Sequence, residues 1–284
     1  MGEDEAAGAA SDPDRTIAEL PSAEDRVEEI VAQARGRPLA VFLDYDGTLT
    51  PIVDDPEDAT LPPEARATIE RLRGRCPVAV VSGRDLDDVR GMVAIDDLAY
   101  AGSHGFDILT ASGERYRHAR EYLGDLDAAQ EQVQPLLDPI PGAELERKTF
   151  AIAVHYRNVE ESDSERVQAA VEEVAAAHPR LRLTAGKRIF ELRPDVDWDK
   201  GRALRSVLDS LDLAESAFPL YVGDDVTDED AFRELEQRGI GIVVRGEDDD
   251  RPTRADYSLP DPAAACGFLD RLADALAREA DDDA

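Results

Sequence analysis

Cysteine is nearly absent from this chain: Cys76 and Cys266 are the only two in 284 residues. That is too few for a disulfide framework, and it fits a reducing compartment. Lysine is almost as scarce, with Lys148, Lys187 and Lys200 the only three, so the cationic residues are nearly all arginine. No stretch approaches the roughly 18 apolar residues that a membrane span requires. The start Met1-Gly2-Glu3-Asp4-Glu5 has neither a basic segment nor an apolar one, and Ala6 stands where a myristoylation signal wants Ser or Thr. A soluble, cytoplasmic protein with no membrane partner is expected.

Positive charge is also in deficit. Asp and Glu number 64 against 32 Lys and Arg, for a formal net charge of −32. A field of that sign repels nucleic acid, so no nucleic-acid partner is expected. A compact chain with this charge repels itself unless concentrated salt screens it, which points to a halophile's cytoplasm.

What is present is an alternation of short apolar runs and amphipathic segments. Leu39–Leu43, Pro77–Val81, Leu98–Gly102, Pro219–Val222 and Ile240–Val244 read as buried strands. Helices are predicted over 62–72, 85–93, 199–211 and 228–237. Near-continuous apolar strands separated by helices specify a parallel sheet covered on both faces, an α/β core. After Gly105 the pattern changes to hairpins around Phe106–Arg117, Glu144–Tyr156 and Leu181–Leu192, with helices over 123–137 and 160–177. This reads as an inserted α+β module. The expected organisation is a disordered acidic segment over 1–20, a core over 21–105 and 195–280, and the insertion over 106–194; the Asp281-Asp282-Asp283 tail is also expected to be disordered.

Ligands of open α/β sheets bind beyond the carboxyl ends of the strands. Polar clusters stand at such positions: Asp44-Tyr45-Asp46-Gly47-Thr48, Ser82-Gly83-Arg84, Asp199-Lys200-Gly201 and Gly223-Asp224-Asp225-Val226-Thr227-Asp228. Solvated acidic loops would account for the aspartates but not for Lys200. A calcium loop at Asp195–Asp199 fails, because its sixth and twelfth positions are Lys200 and Ser206 where Gly and Glu are needed.

The four clusters together resemble the motifs of the haloacid-dehalogenase-like (HAD) phosphohydrolases, over residues 39 to 245. The resemblance implies a Rossmann-like core and phosphoryl transfer from substrate to Asp44 as nucleophile. It makes Asp46 the general acid and base and has Ser82, Gly83 and Lys200 hold the phosphoryl group. Mg²⁺ would sit at the Asp44 carboxylate, the Asp46 carbonyl and Asp224, with Asp225 or Asp228 behind them.

Only 37 residues separate Asp44 from Ser82, whereas 117 separate Ser82 from Lys200. The insertion therefore occupies the position of a C2-type cap. On its predicted strands Glu146, Lys148, Arg157, Lys187, Glu191 and Arg193 are spaced so that they can share a face, as either a carbohydrate site or an exposed ion-paired surface. Tyr100–Gly105, Glu146–Lys148, Ala153–Arg157, Gly186-Lys187 and Glu191–Pro194 look like the trehalose-6-phosphate phosphatase family. In that family the matched residues Glu146, Lys148, Arg157, Lys187 and Glu191 grip sugar hydroxyls, with His104 near the hinge and Arg84, Arg188 and Arg193 as further candidates. His155 is expected to pack among apolar neighbours, His118 to lie on the surface and Trp198 to be a packing residue.

The resemblance implies a Mg²⁺-dependent phosphatase acting on trehalose 6-phosphate, functionally linked to a trehalose-phosphate synthase. Sucrose 6-phosphate or a mannosyl phosphoglycerate as substrate, a phosphomutase, and an inactive phosphosugar-binding module remain open alternatives. The charge makes one prediction independent of all of these: the melting temperature rises steeply as KCl is raised above about 0.15 M. A thermal shift series in KCl checks it, and equal stability in dilute buffer would sink the salt-adaptation reading.

Overall fold

The computed structural model describes residues 15–53, 58–186, 188–246 and 250–282. From the first helix, α1 (Val27–Ala34), the chain enters β1 (Leu39–Leu43), whose five side chains are all buried because apolar residues occupy both faces of the strand. Next come α2 (Pro63–Arg73), β2 (Val78–Val81), α3 (Leu86–Val93) and β3 (Ala99–Gly102). The short strands β4 (Asp107–Leu109) and β5 (Arg115–Arg117) follow. Then come α4 (Leu123–Leu137), β6 (Glu144–Lys148), β7 (Ala151–His155), α5 (Ser164–Ala177), β8 (Leu181–Gly186) and β9 (Ile189–Pro194). The chain closes with α6 (Lys200–Ser210), β10 (Phe218–Gly223), α7 (Glu229–Leu235), β11 (Ile240–Val244), β12 (Tyr257–Leu259) and α8 (Pro262–Asp282).

The strands form two sheets. The larger has the order β12-β11-β10-β1-β2-β3-β4-β5, parallel from β12 to β3 and antiparallel beyond. Alternate residues of β1 serve opposite faces. Leu39, Val41 and Leu43 join the layer formed with α1, α2, α3 and α8, while Ala40 and Phe42 join the layer formed with α6 and α7. The smaller sheet, β6-β7-β9-β8, is antiparallel throughout. One of its faces packs Ile152, Val154, Phe190 and Leu192 against Leu126 and Val133 of α4 and Val167 and Val171 of α5. Its other face carries the polar residues of the same strands.

The expected α/β core with an inserted α+β module is the architecture found, with three corrections. The β4–β5 hairpin, expected to open the insertion at 106, extends the large sheet instead: Tyr100 pairs with Leu109 and Gly102 with Asp107. An edge strand with open hydrogen-bonding groups accepts a hairpin that follows it by a few residues, so the second sheet and its helices lie within 123–194. At the amino end, structure begins before residue 21. Ile17 and Leu20 are buried in the core, and the Ile17 amide donates to the Arg251 carbonyl; residues 1–14 of the segment expected to be disordered lie outside the described residues. At the other end α8 continues to Asp282. Among the described residues no helix is long and apolar enough to cross a membrane.

Ile17 is fully buried on a segment that sequence patterning leaves unstructured. Ile17→Ala should therefore cost about 2–5 kcal/mol, as core truncations do. Urea denaturation measures it, and a loss below about 0.5 kcal/mol, typical of surface changes, would show the segment to be peripheral.

Candidate active site

The adjacency of β1 to β2 and β10 brings their carboxyl ends to one edge of the sheet, and the motif residues follow directly from those ends. Asp44 follows β1 and Ser82 follows β2, both buried, while Asp224 follows β10. Lys200 arrives from the first turn of α6, fixed by the Asp199 N-cap, whose carboxylate accepts the Arg202 amide at 2.8 Å. Asp228 comes from the turn after β10; it is fully buried and accepts the Tyr221 hydroxyl at 2.7 Å and the Asp225 amide at 2.8 Å.

The Lys200 ammonium lies between two carboxylates, 2.8 Å from Asp44 Oδ2 and 2.7 Å from Asp228 Oδ1, with all three side chains buried. Burial alone would favour loss of its proton, but Asp228 and Asp44 outweigh that and hold its pKa well above the ordinary lysine value. The carboxylates outnumber it. Asp44, Asp224 and Asp228 each place an oxygen within 4.8 Å of the others. Burial pushes Asp44 well above the usual carboxylate range; Lys200 opposes this, and Asp228 and Asp224 reinforce it. Asp224 is pushed up to about 7 by burial and by Asp228, against Lys200 and a 3.1 Å hydrogen bond from Thr48. Buried oxygen ligands with more negative charge than one lysine can neutralise fit a hard divalent cation. Gly47, at φ +74°, lets the turn pass against Asp224, since a β-carbon there would stand 2.0 Å from its Oδ2.

Asp46 is held apart from this cluster. Arg84 grips it in a fork, Nε to Oδ2 and Nη2 to Oδ1, both at 2.7 Å, and reaches Asp88 at 3.3 Å. Arg84, expected among the substrate ligands, thus engages the expected acid-base residue instead. Asp228 lies in one cluster with Asp44 and Asp224, its oxygens accepting Lys200, Tyr221 and the Asp225 amide, whereas the Asp225 side chain is exposed.

The polar face of the second sheet contributes another group of residues. Cross-strand register aligns Glu146 with Ala153, Ala153 with Glu191 and Glu191 with Thr184, so small Ala153 leaves room between the two glutamates. Lys148 Nζ reaches Glu191 Oε1 at 3.2 Å, and His104 Nε2 approaches Glu191 Oε2 at 3.8 Å, a Coulombic rather than hydrogen-bonding distance. Burial opposes the charge on Glu191, yet His104 and Lys148 hold its carboxyl well below the usual range. Burial lowers the His104 pKa, against the pull of Glu191, and its Nδ1 is buried without a partner. Its ring lies so close to Gly83 that a β-carbon there would come within 2.8 Å. A cleft of about 270 Å³ is lined by His104, Arg182, Arg193, Trp198, Lys200 and Asp230.

Arg157 is exposed just past β7, Arg188 pairs with Glu161 at 3.0 Å, and Lys187 lies outside the described residues. His155 does not pack among apolar groups but hydrogen-bonds Glu146 at 2.9 Å. His118 is not a free surface residue either: its ring stacks on Trp198 at 3.8 Å, and Trp198 stacks in turn on Phe106. Sequence reading overlooked Tyr221, Thr48, Asp85 and Thr149. Tyr221 had one available signal, a hydroxyl in the middle of an apolar strand, since such a group needs a buried acceptor.

A family model described as trehalose-phosphatase matches residues 42–263, a span that contains every motif described above. The trehalose-phosphate phosphatase of Mycobacterium tuberculosis (strain H37Rv) is 44% identical over 272 residues, covering 94% of this chain and 69% of that protein. Among solved structures, a trehalose-6-phosphate phosphatase related protein aligns with TM-score 0.73 and 26% identity over 85% of this chain and 99% of its own. The C-terminal domain of Candida albicans trehalose-6-phosphate phosphatase shares the fold, with TM-score 0.74 and 21% identity over 90% and 98% of the two chains. With its matched span covering most of the chain, this protein belongs to the trehalose-phosphatase family.

Proposed function

We propose that the protein hydrolyses trehalose 6-phosphate to trehalose and phosphate through a phosphoaspartyl enzyme. The observation that carries the chemistry is the buried Asp44–Lys200–Asp228 arrangement at the edge of the sheet. Asp44 is the nucleophile: one of its carboxylate oxygens attacks phosphorus in line, while the Tyr45 amide and Lys200 orient the carboxylate and Lys200 offsets the charge of the arriving dianion. The Ser82 hydroxyl and the Gly83 amide donate to the transferring phosphoryl oxygens. Asp46 protonates the departing sugar oxygen and then takes the proton of the water that cleaves the phosphoaspartate. For that, the Arg84 fork must open as substrate arrives, because it occupies both carboxylate oxygens.

Asp44, the Asp46 carbonyl and Asp224 would hold Mg²⁺, with Asp228, whose oxygens accept Lys200, Tyr221 and Asp225, behind them; the ion when bound would supply positive charge for the phosphate and the carboxylates alike. The second module is read as a cap, with Glu146, Lys148, Glu191, His104 and Arg193 addressing sugar hydroxyls and Arg157 and Lys187 completing the set. The free thiols Cys76 and Cys266 support a reducing cytoplasm, and a trehalose-phosphate synthase would supply the substrate. High internal salt belongs to the same reading, from composition.

A released-phosphate assay over a panel of sugar phosphates with Mg²⁺ in high KCl should give the highest kcat/KM for trehalose 6-phosphate. A clear preference for another member would overturn the substrate assignment. Asp44→Asn should lower turnover by at least about a thousandfold. Asp46→Asn should retain slow formation of an acid-stable or trappable phosphoenzyme, detected by mass spectrometry after a rapid quench. Wild-type turnover in Asp44→Asn would remove the nucleophile from the scheme.

The metal reading has its own test, because a proton on Asp224 competes with the cation. With that carboxyl at about 7, affinity strengthens as the proton leaves, so calorimetric binding of Mg²⁺ should tighten by about tenfold from about pH 6 to about pH 8. Affinity independent of pH over that range would exclude Asp224 as a ligand.

A further inference from the structure

The geometry points to Asp85 as the residue that sets the sugar pocket, by tying the core loop, the His104 turn and the second sheet to one carboxylate. Asp85 occupies the N-cap position of α3, where an aspartate ordinarily accepts an amide of the first helical turn, yet its side chain makes no such bond. It points away from its own helix. Asp85 Oδ2 accepts the Thr149 amide at 2.8 Å and the Thr149 hydroxyl at 2.9 Å, and Oδ1 accepts the Ser103 hydroxyl at 2.7 Å.

Each partner of Asp85 stands next to a residue of the candidate sugar site. Thr149 follows Lys148, which pairs with Glu191. Ser103 precedes His104, which faces Glu191 from the other side. Asp85 itself follows Arg84, which holds Asp46. The turn carrying Thr149 is stiff within its own module, since Arg147 donates to the Lys148 and Thr149 carbonyls and to Asp127 of α4. A displacement of Thr149 therefore moves Lys148 with it.

On the core side, Ser103 and His104 both have left-handed backbone, φ 50° and 56°, a conformation non-glycine residues rarely adopt. Backbone bonds from the Ser103 amide to the Arg84 carbonyl (2.6 Å) and from the His104 amide to the Ser82 carbonyl (2.9 Å) hold this turn, and the bond to Asp85 holds its side chain. Strained segments of this kind persist only where surrounding contacts over-determine them. Phe106 stacking on Phe150 at 5.6 Å gives the junction an apolar second point of contact, so the modules do not depend on Asp85 to meet. Asp85 instead fixes their register.

Asp85 is thus a positioning residue for sugar recognition, separate from the phosphoryl chemistry at Asp44; this rests on the sugar-phosphate reading above. The test compares trehalose 6-phosphate with p-nitrophenyl phosphate, whose small leaving group does not need the sugar-binding face. Asp85→Ala should lower kcat/KM for trehalose 6-phosphate by about tenfold or more, chiefly through KM, and change that for p-nitrophenyl phosphate by less than about twofold. Thr149→Val, which keeps the amide and loses the hydroxyl, should show a smaller loss of the same kind, and Thr149→Ser should restore wild-type values. Amide exchange in a peptide spanning 147–150 should accelerate in Asp85→Ala while that of β1 stays unchanged.

Equal losses on both substrates, no loss on the sugar phosphate, or unchanged exchange at 147–150 would overturn the assignment. If the wild type preferred a different sugar phosphate, the substrate reading would fall, while the same ratio on that sugar phosphate would still judge Asp85. If it cleaved no sugar phosphate, the exchange measurement would decide.

Discussion

The active edge of the large sheet depends on one charge, the Lys200 ammonium buried between Asp44 and Asp228. Removing a partner from such a buried ion pair leaves an uncompensated charge at a cost of about 3–5 kcal/mol, so these residues constrain one another's positions. Their placement requires parallel strands β1 and β10 side by side, the N-terminus of α6 above them, and a turn after β10 tight enough to return Asp228 beneath the tyrosine hydroxyl of β10. Lys200 leaves a surplus of negative charge, with Asp44, Asp224 and Asp228 each placing an oxygen within 4.8 Å of the others.

The same reasoning explains where the few lysines stand. The chain satisfies its surface carboxylates with arginine forks: Arg71 bridges Asp270 and Asp274, and Arg115 holds buried Asp107 together with Asp87. An arginine fork needs planar space on two sides, whereas a lysine ammonium is a compact charge at the end of a slender stem. Lysine stands at Lys200, where the charge must fit between two buried carboxylates, and at Lys148, beside Glu191 on the polar face of the second sheet. Scarcity of lysine in the sequence was therefore informative about position as well as composition.

Much of the core was legible because buried parallel strands are apolar on both faces: β1 and β11 have the boundaries their apolar runs indicate. The motif residues were legible for a related reason, since polar clusters directly after such runs have few places to go except the binding edge. What could not be read depends on tertiary choice. The β4–β5 hairpin has the same pattern whether it joins the large sheet or the inserted module. Ile17 and Leu20 are isolated apolar residues in a polar segment, buried in the core cluster where Arg15 and Ile17 pair with Thr253 and Arg251 of a distant loop. β12 spans three residues, too short for alternation to show. The Arg84–Asp46 fork joins residues 38 apart, and opposite charge was abundant enough in this chain to predict many other partners.

The loop Ser82-Gly83-Arg84-Asp85 carries contacts to the core and to the second sheet on neighbouring residues. The Ser82 hydroxyl accepts the Arg84 amide at 3.1 Å within the loop, the absent side chain of Gly83 admits the His104 ring, Arg84 restrains Asp46, and Asp85 reaches the second sheet at Thr149. Arg84 and Asp85 thus carry successive side chains to different modules, Arg84 to Asp46 of the core and Asp85 to Thr149 of the second sheet.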